Sequence, residues 1–319
     1  MANSGELSWS DLVLRGWRFA LVVFGLVLAG ILLILVGLPM PRATITGFAE
    51  SDTIDLRTTA STVLNDIAGR DITIAFEGRI AVTGGQVIED AEGLLRFTSV
   101  TGAANITGLT VPENTSFKLT TIPGANRLSI QLVGPPIQFR ISPGSDTSLR
   151  SDIDACAEVG CGEDLSLQPL DFVSNDGSVV LLTVDLPSFP FQIAETISVS
   201  DLRFWQPVQT AGGVRSDSGL SGGHLRFLIA PTTYTRFEPG EIIHFDTLGL
   251  GLRSLVVAPE GLSVRFSGEV SDLEGEISNK RFSMMPRILE WFSAQPALRV
   301  ALGLVSFAFA AGFGLRRSL

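Results

Sequence analysis

NRLSIQLVGPPIQFRIS, residues 126–142, decides the fold class. Leu128, Ile130 and Leu132 alternate with Arg127, Ser129 and Gln131. After the GPP break, Ile137, Phe139 and Ile141 alternate with Gln138 and Arg140. Successive strand side chains point to opposite faces, so a period of two buries one face and wets the other. The same period recurs at Ile72, Ile74 and Phe76, at Leu225, Phe227 and Ile229, and at Leu262, Val264 and Phe266. Gly84-Gly85 and Asn175-Asp176-Gly177 interrupt such runs and predict hairpin turns. Between 43 and 280, only TASTVLNDIAG (59–69) shows modest helical periodicity. The pattern predicts about 14–18 short strands in an all-β antiparallel sandwich or jelly roll. It excludes a parallel α/β fold.

Outward from this region, both ends become apolar. FALVVFGLVLAGILLILVGL, Phe19 to Leu38, holds 20 residues without a charge. At about 1.5 Å per residue it spans a hydrocarbon core of roughly 30 Å. Trp17 and Arg18 stand at its start as interface anchors, and Pro39, Pro41 and Arg42 close it. A cleaved signal peptide has a shorter apolar core and a small-residue site, which LPMPRA lacks, so the run reads as a retained anchor. Near the other end, VALGLVSFAFAAGFGL (300–315) runs uncharged into Arg316 and Arg317. Extended back to Ala297, it predicts a second span, with Arg299 snorkelling to the interface. Ahead of it, PRILEWFSAQP (286–296) reads as an interfacial amphipathic segment anchored by Trp291.

These boundaries predict a cytoplasmic tail (1–16), a first transmembrane helix (17–40) and an extracytoplasmic all-β domain (41–285). The interfacial segment (286–296), a second helix (297–315) and a cytoplasmic tail (316–319) follow. Segment 143–165 breaks the strand pattern with six acids against Arg150. It reads either as a linker between lobes 43–142 and 166–285 or as a long loop of one domain. Cys156 and Cys161, the only cysteines, lie within it as CAEVGC. Their spacing suits a local disulfide in an oxidising compartment, so the expected location is the inner membrane, with most of the chain periplasmic.

The 33 acids against 23 bases give a net charge of −10, which excludes a basic nucleic-acid footprint. Two histidines and two lysines leave few groups for acid–base chemistry. Asp152, Asp154, Glu158 and Glu163 fall at positions 1, 3, 7 and 12 of an EF-hand register. Ala157 stands where that loop turns on glycine, which leaves an irregular calcium site or a solvated acidic loop. His224 and His244 lack a marked third ligand for zinc. Paired carboxylates could serve glycoside chemistry, but Glu89, Asp90 and Glu92, and Glu269, Asp272, Glu274 and Glu276, read as turn acids. Trp205, beside Phe204, and Tyr234, the only tyrosine, are the candidate sugar-stacking residues. The tripeptide Leu-Arg-Phe recurs at 95–97, 202–204 and 225–227, at unequal spacings that alternation alone produces.

Within the apolar runs, Gly25/Ala29, Ala308/Gly312 and Ala310/Gly314 are small-xxx-small pairs that permit close helix packing. The functional expectation is a membrane-anchored envelope protein that binds or scaffolds other envelope proteins, without catalysis or cofactor. Its partners are then the bilayer and neighbouring membrane proteins. The alternative is a glycan-binding or glycan-active module displayed at the membrane surface.

Overall fold

The computed structural model describes residues 40–300 apart from 83–85, 89–92, 100–101, 123, 145–146, 152–168, 211–212, 229–233, 279, 289, 291–294 and 298–299. Residues 41–285 form one compact unit. It is all-β, and every strand pair is antiparallel.

Twelve of the twenty-four strands among the described residues fall into six pairs of sequence neighbours. They are β2 (Thr53–Thr58) and β3 (Thr62–Val63), β5 (Asp71–Glu77) and β6 (Ile80–Val82), and β7 (Gln86–Ile88) and β8 (Gly93–Ser99). The others are β9 (Ala104–Val111) and β10 (Ser116–Thr121), β11 (Arg127–Val133) and β12 (Gln138–Ser142), and β14 (Leu170–Ser174) and β15 (Val179–Asp185). The large sheet carries the order β8-β5-β15-β11-β10-β2. The second sheet carries β7-β6-β14-β12-β9-β3, the same order member for member. The strands therefore fold over along one line and pass from sheet to sheet at shared corners. β4 (Ile67–Gly69) pairs with β9, and β13 (Thr147–Ser151) extends the large sheet beyond β8.

Glycines and hydroxyls shape these corners. Gly78 has φ +106°, and a Cβ there would lie 2.8 Å from Ser178 Oγ. The N–H of Gly177 donates to the Gly134 carbonyl at 2.8 Å, and that of Asn175 to Arg79 at 3.0 Å. Buried Ser174 accepts the Ile137 N–H on its Oγ at 2.9 Å. Buried Thr58 accepts the Thr115 N–H at 3.0 Å and donates to the Pro112 carbonyl at 2.6 Å. A bend leaves backbone groups out of the ladder, and these side chains supply the missing partners. Where the sheets meet, a Cβ on Gly69 would fall 2.5 Å from Val184 and 2.9 Å from Ile72, so β4 rests directly on β15 and β5. Ile72, Ile74, Leu128, Ile130, Leu132, Val180 and Leu182 are fully buried beneath.

The large sheet continues from β2 through β17 (Ile197–Arg203), β22 (Ile242–Ala258), β23 (Gly261–Ile277), β1 (Ala43–Ser51), β20 (Leu220–Phe227) and β21 (Tyr234–Phe237). β16 (Phe191–Ala194) and β24 (Lys280–Ser283) join β22 and β23, and β18 (Trp205–Thr210) with β19 (Gly213–Ser218) forms a separate ribbon. Phe204, Phe245 and Phe266 pack ring to ring in the core here, with centroids 5.5–6.3 Å apart.

Three expectations need revision. The strands do not sort into 43–142 and 166–285, because β14 and β15 lie among earlier strands while β1 and β2 lie among later ones. The turn at Asn175-Asp176-Gly177 forms, with Gly177 at φ +77°, but it joins strands of different sheets and makes no hairpin. Segment 59–69 is not helical; it supplies β3 and β4, since pairing with β9 satisfies its backbone and buries Leu64 and Ile67.

Of the second unit, the described residues are Met40 and positions from Pro286 onward. The Met40 N–H donates to the Pro286 carbonyl at 3.0 Å. Ile288 and Glu290 are helical, and the Glu290 carboxylate reaches back to the Arg287 N–H at 3.1 Å, an N-terminal cap. Among the described residues no helix is long and apolar enough to cross a membrane. Residues 19–38 and 301–315 lie outside them, with Trp17, Arg18, Gly25, Ala29, Trp291, Ala308, Ala310, Gly312, Gly314, Arg316 and Arg317.

Candidate functional site: an arginine-lined groove

On the solvent face of β22, β23, β1 and β20 lies a groove of about 590 Å³. Thr46, Phe48, His224, Arg226, Arg253 and Arg265 line it. Strand alternation places most of them. In β1, Ala43, Ile45, Gly47 and Ala49 point inward, so Thr46 and Phe48 point outward. Leu225 and Phe227 turn inward around Arg226, and Val264 and Phe266 around Arg265. Arg253 needs a further device. The register shifts between Leu252 and Ser254, and with Leu252 and Leu255 both buried the bulge presents Arg253 and Ser254 together to solvent. The Arg253 Nε then donates to Ser267 Oγ at 3.0 Å.

Register aligns these residues across the sheet. Arg265 faces Phe48, Phe48 faces His224, and His224 faces Arg236 of β21. The next row runs Ser267, Thr46, Arg226 and Tyr234. Phe48 and His224 pack with ring centroids 5.7 Å apart. Phe48 is thus an aromatic ring held half-buried on the outward face of β1.

Four outward arginines elsewhere meet aspartates: Arg96 with Asp71, Arg127 with Asp185 at 2.9 Å, Arg140 with Asp171, and Arg203 with Asp201. Among the described residues no carboxylate stands within ion-pair distance of Arg226, Arg236, Arg253 or Arg265. A second groove of about 360 Å³ adjoins at Arg265 and carries Glu50, Ser254, Glu260 and Ser263.

The expected site residues fall elsewhere. Trp205 starts the ribbon and is half-buried. The Arg203 guanidinium lies 5.4 Å from its ring centroid and the His244 ring 5.7 Å away, so protein groups already pack against the indole. Its Nε1–H is buried without an acceptor among the described residues. Tyr234 opens β21, in register with Arg226 and strands away from Trp205. Beneath the ribbon, burial raises the Asp55 carboxyl above its ordinary value, partly offset by the Arg203 and Lys118 charges. Lys118 donates to Gln206 at 2.8 Å.

His224 and His244 do not converge: the first packs on Phe48, the second meets Glu276 at 3.2 Å. The Arg281 hydrogen bond, more than that of His244, holds Glu276 below the usual carboxylate range. Glu274 and Glu276 are thus tied to Arg281, whereas Glu269 and Asp272 are exposed. Among the described residues no group of His, Cys, Asp or Glu could hold a metal ion. Asp152, Asp154, Cys156, Glu158, Cys161 and Glu163 lie outside the described residues, as do Glu89, Asp90 and Glu92.

Sequence reasoning missed the groove. Alternation marks each arginine as outward, but that four of them share one face follows only from register and the bulge. Phe48 carried the one readable signal, an aromatic out of phase in TITGFAES. Compared with protein-family models, curated proteins and solved structures, the chain gives no match.

Proposed function

We propose that this chain is a two-pass protein of the inner membrane whose extracytoplasmic β body, of sandwich type, works by binding, as a scaffold or accessory subunit of an envelope complex. The hydrogen bond between Met40 and Pro286 carries the reading. It brings the residue after the first apolar run beside the segment leading to the second, as two helices entering one bilayer side by side require. Small-residue pairs in both runs suit mutual packing or packing on a partner's helix. A body tethered at both ends stays in a thin layer at the membrane surface, which raises its effective concentration for neighbours there. The Cys156–Cys161 disulfide belongs to the same reading, since that layer is oxidising.

The test is crosslinking in intact membranes, extraction in mild detergent and identification of what co-purifies with the full chain. The expected result is one or more membrane proteins in fixed proportion. Recovery of the chain alone would overturn the reading. The glycan-binding alternative draws its support from the arginine groove.

A further inference from the structure

We infer that the groove on β22, β23, β1 and β20 binds an acidic sugar chain, with carboxylate-bearing rings lying across the strands. The proposal rests on the binding reading above and names a ligand class for it. Four arginines without carboxylate partners among the described residues lie on one face of a chain whose net charge is −10. Exposed guanidinium groups cluster against their mutual repulsion, and an anion relieves it; the planar fork takes carboxylates in bidentate geometry.

The row geometry sets ligand size. From Arg265 through Phe48 and His224 to Arg236 there are three strand spacings, about 14 Å, and Arg253 on β22 adds another, for about 19 Å. A single small anion meets one or two of these cations, whereas an extended anionic chain meets them all. Phe48 stands between them with His224 against it, an apolar platform on which the flat face of a sugar ring can rest.

The remaining lining separates a sugar chain from other polyanions. Thr46 lines the groove, Ser267 is bonded by Arg253, and Ser254, Ser263, Glu50 and Glu260 line the adjoining one. Hydroxyls and carboxylates of the protein pair with ligand hydroxyls. An acidic peptide offers few of these. Anionic headgroups in a lipid surface present charge in a plane, while Arg226, Arg253 and Arg265 line a recess.

The experiment uses the full chain in detergent and a galacturonate hexamer as probe. The chain is expected to bind the hexamer, with affinity falling as salt is raised. Arg265→Gln and Arg226→Gln should each weaken binding about tenfold, the size of one lost charge-assisted bond. Phe48→Ala should weaken it with little change in salt dependence. Should a variant fold poorly, the wild-type chain still decides: the fully methyl-esterified hexamer keeps the rings and loses the charge, and should not bind. Absence of hexamer binding, equal binding of the esterified hexamer, or equal binding of polyglutamate or phosphatidylglycerol vesicles would each overturn the inference. Co-purification of membrane proteins is read separately, so loss of sugar binding with retained partners removes this inference alone. Retained sugar binding without partners removes the scaffold reading alone.

Discussion

The backbone N–H of Met40 donates to the carbonyl oxygen of Pro286 at 3.0 Å. The whole β body, residues 41–285, lies between these two residues in sequence, yet they meet. Leu38 closes the first apolar run just before Met40, and Ala297 opens the second soon after Pro286. On the two-pass reading proposed above, two spans starting from one point would carry the remaining ends to one side of the bilayer. Single cysteines at Ser4 and Ser318 are therefore expected to react with an impermeant maleimide only after the cytoplasmic side is opened. A cysteine at exposed Ser221 is expected to react from outside. Labelling of position 221 together with positions 4 and 318 would end this topology.

The mirrored strand order of the two sheets depends on the corners, and Thr58 sits at one of them. Its hydroxyl is buried and bonded both to the Thr115 N–H and to the Pro112 carbonyl. Thr58→Val keeps the shape and leaves the buried Thr115 N–H and the half-buried Pro112 carbonyl without this partner, at about 1–3 kcal/mol for the buried group. Thermal melting of the full chain should fall by several degrees, since about 1 kcal/mol moves a domain of this size by 2–4 °C. Thr62→Val, which removes an exposed bond of 3.3 Å to Thr196, should leave the melt nearly unchanged. Equal effects from the two variants would mean that the corner hydroxyl does not hold the fold.

The ion pairs of the outer face should behave differently. Arg127 and Asp185 pair across β11 and β15 at 2.9 Å, with both side chains open to water. Solvent screens such pairs and ordering the side chains opposes them, so each contributes about 0–1 kcal/mol. Asp185→Asn should shift the melt by no more than a degree or two, less still at high salt. A larger loss would show that the charge pair fixes the register of β11 against β15.

Alternation made the strands legible and left the sheets illegible. The tripeptide Leu-Arg-Phe shows how far it reaches. In all three copies leucine and phenylalanine are buried and arginine is exposed. Yet Arg96 meets Asp71 of the neighbouring strand and Arg203 meets Asp201 two residues back on its own strand, while Arg226 stands in the groove, so the surroundings and not the tripeptide make the difference. Asn175-Asp176-Gly177 was readable as a turn, because its glycine takes positive φ. Whether such a turn returns the strand beside itself or sends it to another sheet depends on what the neighbouring strands bury. That information sits at Gly78 and Gly134, remote in sequence from the turn. Trp205 was visible as a strand-end aromatic, but the His244 and Arg203 packed on it were not.

Glu241 supplies a test of folding by pH. It is 2% exposed, and its carboxylate accepts the Glu238 N–H at 2.9 Å. Burial raises its carboxyl above the ordinary value, outweighing that hydrogen bond, and the Glu238 charge pushes the same way. The folded state thus holds this proton to higher pH than the unfolded state does. Its contribution to stability is complete below the unfolded value, near 4.3, and is lost as pH rises through the raised folded value. Glu241→Gln removes the titration while keeping an oxygen to accept the Glu238 N–H. At pH 7.5 the variant should melt no lower than the wild type, and its advantage should shrink as pH approaches 4. A variant that melts lower at pH 7.5 and gains ground on acidification would reverse the sign. The carboxylate, not its neutral form, would then be what the fold prefers at this turn.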